Sequence, residues 1–350
     1  MILPSRYEIA GSYIKSGMGK IHACKDKHLN RRVVLKLLNE DEEERRLLDE
    51  QKALLRVRSK HVVQLYDIID VGVEGRTTKA LVLEYIDGED LVLGRYKADA
   101  EFMKVLWQVS CGLSEIHRSG VIHRDIKPSN IKVDHEGVVK IFDFGLSRSS
   151  KESAKTTSAI GTPIFMAPEL WSKDEVSFDQ SIDVYAFAIT ALALIEGSMI
   201  PACLSAYPPQ PIFPGSLDKY FLGTPKPIVA ALEQCLSHES HKRPKISEVE
   251  LILRRYLLQN KHRALLVAED RVHELHAGSP SANIKINTLG AVTIHYDGVD
   301  FKVVAHEGAV TVNNIPVSVG LELPACCVIT FGTRERKFIT FDVSNPEVTP

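Results

Sequence analysis

The chain has 350 residues, 44% of them apolar and 25% charged, with a net charge of −2. That length holds two or three domains with a sizeable core. The near-neutral balance argues against nucleic acid or an anionic membrane as a partner. The six cysteines, at 24, 111, 203, 235, 326 and 327, form no CxxC pair and no disulfide-framework spacing, which fits a reducing compartment. No charged-then-apolar leader opens the sequence. The longest apolar run, Val184 to Ile195, is too short to span a bilayer and reads as a buried helix. A cytoplasmic location is expected.

Residues 7 to 40 alternate short apolar runs with turn residues, as strands and hairpins do. Within them "Y13-I-K-S-G-M-G-K-I21" has the look of a glycine-rich loop that keeps only Gly17 and Gly19. By itself it reads as either a turn or a phosphate cradle. "R31-R-V-V-L-K-L-L38" is a strand interrupted by Lys36. "D41-E-E-E-R-R-L-L-D-E-Q-K-A-L-L-R56" is a helix whose acidic first turn suits the positive end of the dipole. Glu50 lies between Leu47 and Leu54 on its inward face. Strands are expected at Val62–Ile69 and Lys79–Ile86. Phe102, Leu106, Val109, Leu113 and Ile116 recur at helical spacing over 99 to 119. The pattern stays mainly helical to about 260, broken by a proline-rich connection over 201 to 227. Within it "PPQPIFP" (208 to 214) reads as an ordered loop or an SH3-type ligand. The charged stretch 259 to 274 reads as a helical linker. From about 275 onward short strands separated by turns, such as "A291-V-T-I-H-Y" and "R336-K-F-I-T-F-D-V", predict a small all-β module, sandwich or barrel.

The chemistry concentrates in "V121-I-H-R-D-I-K-P-S-N-I-K-V133" and "K140-I-F-D-F-G-L-S-R148". Asn130 and Asp143 offer two oxygens from separate loops, which suits a magnesium ion whose shell is completed by substrate phosphates. Asp125 is placed to orient and deprotonate a hydroxyl. Upstream, Lys36 and Glu50 are an inward cation and an inward anion. Either one alone would be costly to bury, so the two should meet.

On these residues the chain resembles the protein-kinase superfamily. HRDIKPSN, DFG, "V-V-L-K36" and "A167-P-E169" are similar to its signatures. "G161-T-P-I-F-M-A-P-E-L", "S181-I-D-V-Y-A-F" and "H241-K-R-P" extend the likeness over roughly residues 7 to 260. The resemblance implies an α+β, bilobal fold with an N-lobe (1–86), a C-lobe (87–260), a linker (261–275) and an all-β module (276–350). It implies a serine/threonine protein kinase that uses ATP and Mg²⁺ and acts on protein substrates. Lys36 would hold the α- and β-phosphates and Glu50 would hold Lys36. Ser16, Gly17 and Gly19 would cover the phosphates; Ile21 and Val34 would line the nucleotide. Glu84 and Ile86 would offer backbone groups to adenine behind the gatekeeper Leu83, and Asp90 would reach the ribose. Asp125 would be the base, Lys127 would steady the γ-phosphate, and Asn130 and Asp143 would bind Mg²⁺. Arg243 would pair with Glu169, Asp183 would brace the catalytic loop, and Thr162 would shape the acceptor site. Arg124 would read a phosphate on Thr156, Thr157 or Ser158.

Three features depart from that pattern. Ile14 and Ser16 stand where the glycine loop has glycines. Lys132 stands where an apolar residue floors the adenine pocket; its stem would lie under the base, or it would weaken ATP binding. The final strands resemble a forkhead-associated (FHA) domain, yet 275 to 310 offers no arginine and no Ser–His pair for a phosphothreonine. A module that docks on the kinase or recruits a substrate is expected instead. The departures also leave a pseudokinase or scaffold as the alternative. Lys127 disfavours tyrosine specificity, and it joins the Gly-Thr-Pro and Ala-Pro-Glu motifs in disfavouring a small-molecule phosphotransferase.

Overall fold

The computed structural model describes residues 1–16, 19–37, 41–149, 163–172, 179–197, 200–268 and 271–344. Gly17, Thr156, Thr157, Ser158 and Thr162 lie outside the described residues. The chain divides into two compact units, Met1–Leu253 and Arg254–Thr349. No helix among the described residues is long and apolar enough to cross a membrane.

The first unit begins with strands β1 (Tyr7–Ser16), β2 (Gly19–Asp26) and β3 (Arg31–Leu37), helix α1 (Asp41–Arg56), and strands β4 (Leu65–Val73) and β5 (Arg76–Glu84). The strands form one antiparallel sheet in the order β1-β2-β3-β5-β4. Alternation gives the sheet two faces. One carries an apolar cluster that includes Tyr7, Cys24, Val33, Leu35, Val71 and Val82. On β3 the other face carries Val34 and Lys36. The register sets Lys36 opposite Ile21 and Leu81, and Val34 opposite Leu83.

Two strand boundaries differ from the sequence reading. The strand expected at Val62–Ile69 runs from Leu65 to Val73, and that expected at Lys79–Ile86 runs from Arg76 to Glu84. Val62 to Gln64 look like strand residues but bond elsewhere. Val63 N–H donates to Ile141 O (2.9 Å), and Glu84 N–H donates to Gln64 O (2.8 Å). Glu74 and Gly75, with φ of 49° and 78°, make the tight turn that joins β4 to β5.

The unit continues with β6 (Gly88–Asp90), α2 (Ala100–Arg118), β7 (Val121–Ile122), β8 (Ile131–Asp134), β9 (Val139–Ile141), β10 (Arg148–Ser149), α3 (Ser181–Leu194), α4 (Lys226–Cys235) and α5 (Ile246–Leu257), the last crossing into the second unit. Asp99 caps α2 by accepting from Phe102 N–H at 3.0 Å. α3 holds the apolar run seen in the sequence and is buried nearly all round, as a helix without a polar face must be. β6, β8 and β9 form a small sheet, and β7 pairs with β10.

The second unit contains β11 (Ala264–Ala268), β12 (Arg271–Leu275), β13 (Ser281–Ile286), β14 (Gly290–Tyr296), β15 (Phe301–Gly308), β16 (Val310–Val312), β17 (Ile315–Pro316), β18 (Cys326–Phe331) and β19 (Lys337–Val343). Two sheets, β12-β11-β19-β18-β16-β17 and β13-β14-β15, share one apolar core around Val292, Ile294, Phe331 and Phe341. The helical linker expected over 259 to 274 is replaced by the β11–β12 pair. Ala264 and Leu266 point inward while Leu265 and Val267 point outward, a period of two that no helix supports. A Ser–His hydrogen bond also forms where the sequence reading finds none. Ser281 and His295 face each other across β13 and β14, with Oγ 2.7 Å from Nδ1. Cross-strand register brings together residues that sequence proximity does not reveal.

Candidate active site

Lys36 leaves β3 toward α1, and Glu50 leaves α1 toward β3. They meet with Nζ 2.9 and 2.8 Å from the two carboxylate oxygens, and both residues are buried. A second carboxylate, Asp143, reaches the same ammonium at 2.7 Å. One cation between two anions leaves a net negative charge, with Asp143 the more exposed of the two acids. Burial presses the Lys36 pKa down, and the two carboxylates more than reverse this, holding it above the ordinary lysine value. Burial raises the Asp143 pKa, but Lys36 outweighs it and keeps the carboxyl below the usual range. Both groups are therefore ionised at neutral pH.

The second half of the site is the loop between β7 and β8. Asp125 is buried, and its Oδ2 accepts from Asn130 Nδ2 at 2.8 Å and lies 2.7 Å from Lys127 Nζ. Asn130 Nδ2 also donates to the Asp125 carbonyl at 2.8 Å. The Asn130 amide nitrogen is thus committed to Asp125, which leaves its side-chain oxygen as a hard donor. The two loops are stitched together: Phe142 N–H donates to Asn130 O at 3.0 Å, and His123 Nε2 lies 3.2 Å from Phe142 O. The His123 ring also packs edge-on against Phe144.

Arg124 and Asp143 take φ of 71° and 64°, a left-handed backbone rarely adopted by such residues. Buried Asp183 holds the first loop in this shape, accepting from His123 N–H and Arg124 N–H at 2.8 Å each, with His117 Nε2 at 2.9 Å. Arg243 engages both oxygens of Glu169, at 2.6 and 2.7 Å. Several residues expected to line the nucleotide fall on one side of the sheet. Ile21, Val34 and Leu83 share the Lys36 face of the sheet. Ile14 is extended opposite Ile21, and Ser16 pairs with Gly19 across the loop end. Glu84 closes β5, Ile86 follows it, and Asp90 ends β6 opposite Lys132.

The donor set fits magnesium. Among the described residues no cluster of three His, Cys, Asp or Glu side chains forms a cage. Two oxygens from Asn130 and Asp143 are the sparse set that magnesium accepts when phosphates supply the rest.

Sequence reasoning missed Lys140 and Gln64. Lys140 is buried on β9, and its Nζ lies 2.7 Å from Glu84 Oε1. Gln64 N–H donates to the other Glu84 oxygen at 3.1 Å, while its side-chain amide donates to Ser59 O and Val62 O at 2.8 Å each. The available signal was a lysine between Val139 and Ile141, since a charge in a short buried strand demands a partner.

A buried lysine paired with two carboxylates, and a buried Asp125 held by Asn130 and Lys127, thus lie on elements whose two loops are joined by hydrogen bonds. The chain belongs to the protein kinase family: residues 15–207, more than half of its length, match the protein kinase domain. A probable serine/threonine-protein kinase of Clostridium acetobutylicum is 31% identical over 209 residues, covering 57% of this chain and 31% of that protein. A serine/threonine-protein kinase of Corynebacterium efficiens is 33% identical over 193 residues, covering 52% and 37% respectively. One of Saccharomyces cerevisiae is 30% identical over 230 residues, covering 56% and 40%. The chain thus spans less than half the length of these curated relatives. Protein kinases as a family use ATP and Mg²⁺.

Proposed function

We propose that the chain is a serine/threonine protein kinase that transfers the ATP γ-phosphate to protein hydroxyls. The observation that carries this is the closed Lys36–Glu50–Asp143 cluster and the Asp125–Lys127–Asn130 cluster, each bonded internally and built around buried Lys36, Glu50, Asp125 and Asn130, on loops joined by Phe142 N–H to Asn130 O. In this reading the fold is bilobal, with lobes 1–86 and 87–260, and nucleotide binds between them. Mg²⁺, held by Asn130 and Asp143, would neutralise charge on the phosphates. Lys36 positions the α- and β-phosphates and Glu50 fixes its ammonium. Asp125 accepts the acceptor hydroxyl's proton while Asn130 and Lys127 hold its carboxylate in place. Ser16, Gly17, Gly19, Ile21, Val34, Glu84, Ile86 and Asp90 complete the nucleotide site. Autophosphorylation would fall on Thr156, Thr157 or Ser158. The relatives' names as serine/threonine-protein kinases support the acceptor class.

The β-unit, FHA-like in its final strands, would dock a partner or substrate without reading phosphothreonine, because 275–310 holds no arginine. A scaffold with a weakly active cleft is the second reading. It draws on Lys132 and on the non-glycine residues at 14 and 16.

The test is phosphate transfer from labelled ATP with Mg²⁺ to a generic protein acceptor and to the chain itself, comparing wild type with Lys36→Met and Asp125→Ala. Label on wild type alone supports the kinase. Label on none of the three, with all three folded, overturns it in favour of the scaffold.

A further inference from the structure

Strands β6, β8 and β9 set three side chains in one row. The register places Asp90 opposite Lys132 and Lys132 opposite Lys140, and residues directly opposed on antiparallel strands share a face. Two ammoniums side by side repel, so each needs its own counter-ion. Lys140 finds Glu84 at 2.7 Å, and Lys132 finds Asp90 at 3.4 Å. The two carboxylates come from the two ends of one connection, residues 84–90, which leaves β5 and becomes β6. That connection is strapped to the β8–β9 floor twice. The register of the strap is held by Gly88, where a Cβ would run into the Val133 carbonyl and the Asp134 Cα.

The two straps are unequal. Glu84 is closed in, since its second oxygen accepts from Gln64 N–H. The Lys132–Asp90 pair is longer, and its side chains are 30% and 59% exposed. Water screens such a pair, so it is the one a ligand can open.

Resting on the reading of this cleft as the ATP site, we propose that Lys132 is a nucleotide-affinity determinant whose ion pair with Asp90 must open before the ribose can use that carboxylate. Two consequences follow from the same side chain. With Lys132 in place, Asp90 is held by a cation instead of by sugar hydroxyls, and the base lies over an ammonium-tipped stem instead of an apolar floor. Affinity for the base-and-ribose end of the nucleotide is thereby lowered, while the Lys36–Asp143 end is untouched.

Adenosine isolates that end, because it carries no phosphate. Calorimetric titration of adenosine into the full chain should show Lys132→Leu and Lys132→Met binding about fivefold more tightly than wild type, the effect of roughly one extra buried methylene and a released carboxylate. With 2′,3′-dideoxyadenosine the gain should shrink, since the freed Asp90 has no hydroxyls to meet. Adenosine bound equally well or less well by both substituted chains, with unfolding midpoints matching wild type, overturns the role of Lys132 and leaves the ATP site standing. If neither adenosine nor ATP binds wild type, Lys132→Leu or Lys132→Met, the nucleotide reading itself fails and Lys132 falls with it.

Discussion

The two units bury different kinds of residue. Among the described residues, the first buries many polar and charged side chains, among them Asp26, Lys36, Glu50, His61, Asp125, Asn130, Lys140, Asp183 and Arg243, while the second buries Thr330 alone of its polar side chains. The core of the second is built from aliphatic and aromatic groups such as Val292, Ile294, Tyr296, Phe331 and Phe341. Burying a charge costs several kcal/mol unless it is paired and bonded, so such groups persist where chemistry needs them. The β-unit is held by ordinary apolar packing, and its surface is where a role must be sought. In the first unit the buried ions Lys36, Glu50, Asp125, Lys140, Asp183 and Arg243 are paired or hydrogen-bonded.

The sharpest way to break that contrast is to separate activity from stability. Asp125→Ala should lower phosphate transfer by about two to four orders of magnitude, the range for loss of a positioned general base, while thermal unfolding still shows a folded chain. A variant that keeps its rate would remove Asp125 from the chemistry.

Asp183→Ala comes next. It strands two buried backbone N–H donors of the loop and the His117 ring, so it should cost about 3–5 kcal/mol in urea unfolding and reduce transfer as well. An activity loss without a stability loss would show that Asp183 acts on the site directly and not by holding Arg124 in its left-handed conformation.

Phe341→Ala tests the other unit. Phe341 is fully buried and packs edge-on against Phe301. Its truncation should cost about 3–5 kcal/mol, read as lost amide protection in β11, β18 and β19. Unchanged protection would mean that the β-unit core does not depend on its largest side chains.

The smallest effect is that of pH. Burial pushes the His61 pKa down to about 4, against an ordinary value of 6.5, so the folded state binds fewer protons than the unfolded chain between those values. Stability should therefore be complete above pH 6.5 and decline as the pH falls toward 4. Arg6, which engages both oxygens of Asp26, holds that carboxyl well below its ordinary 3.8. Its contribution is present above that value and is lost at still lower pH. Replacing His61 by Gln should flatten the upper limb of the unfolding profile, and Asp26→Asn should flatten the lower one. An unaltered profile in either variant would assign the acid loss to other groups.

The order and spacing of short motifs made the first unit legible. Helix period put Glu50 on the inward face and the cost of burying a lone ion paired it with Lys36, and 2.9 Å separates them. Helix α2 follows the apolar spacing. Legibility failed where pairing between strands does the work. Val62 to Gln64 have strand composition yet bond to β9 and to the start of the 84–90 connection. Residues 264 to 275 have a charged composition yet form two strands. Ser281 and His295 meet through strand register, and Lys140 and Glu84 meet between two separate sheets. A sequence states which side chains exist and how they alternate, but not which strand lies alongside which.

The order and spacing of residues along the chain by themselves determined the chemical inventory: one lysine and one glutamate on facing elements, an Asp–Lys–Asn loop, and an aspartate ten or more residues on. Local periodicity and side-chain chemistry suffice for that, because both are written in neighbouring residues. Only the tertiary structure decided that Asp143 closes on Lys36, that Asp183 accepts from the backbone N–H groups of both His123 and Arg124, and that two lysines stand side by side with a carboxylate each from the 84–90 connection. Those contacts join residues dozens of positions apart, and their energies exist only once water has been excluded from between them.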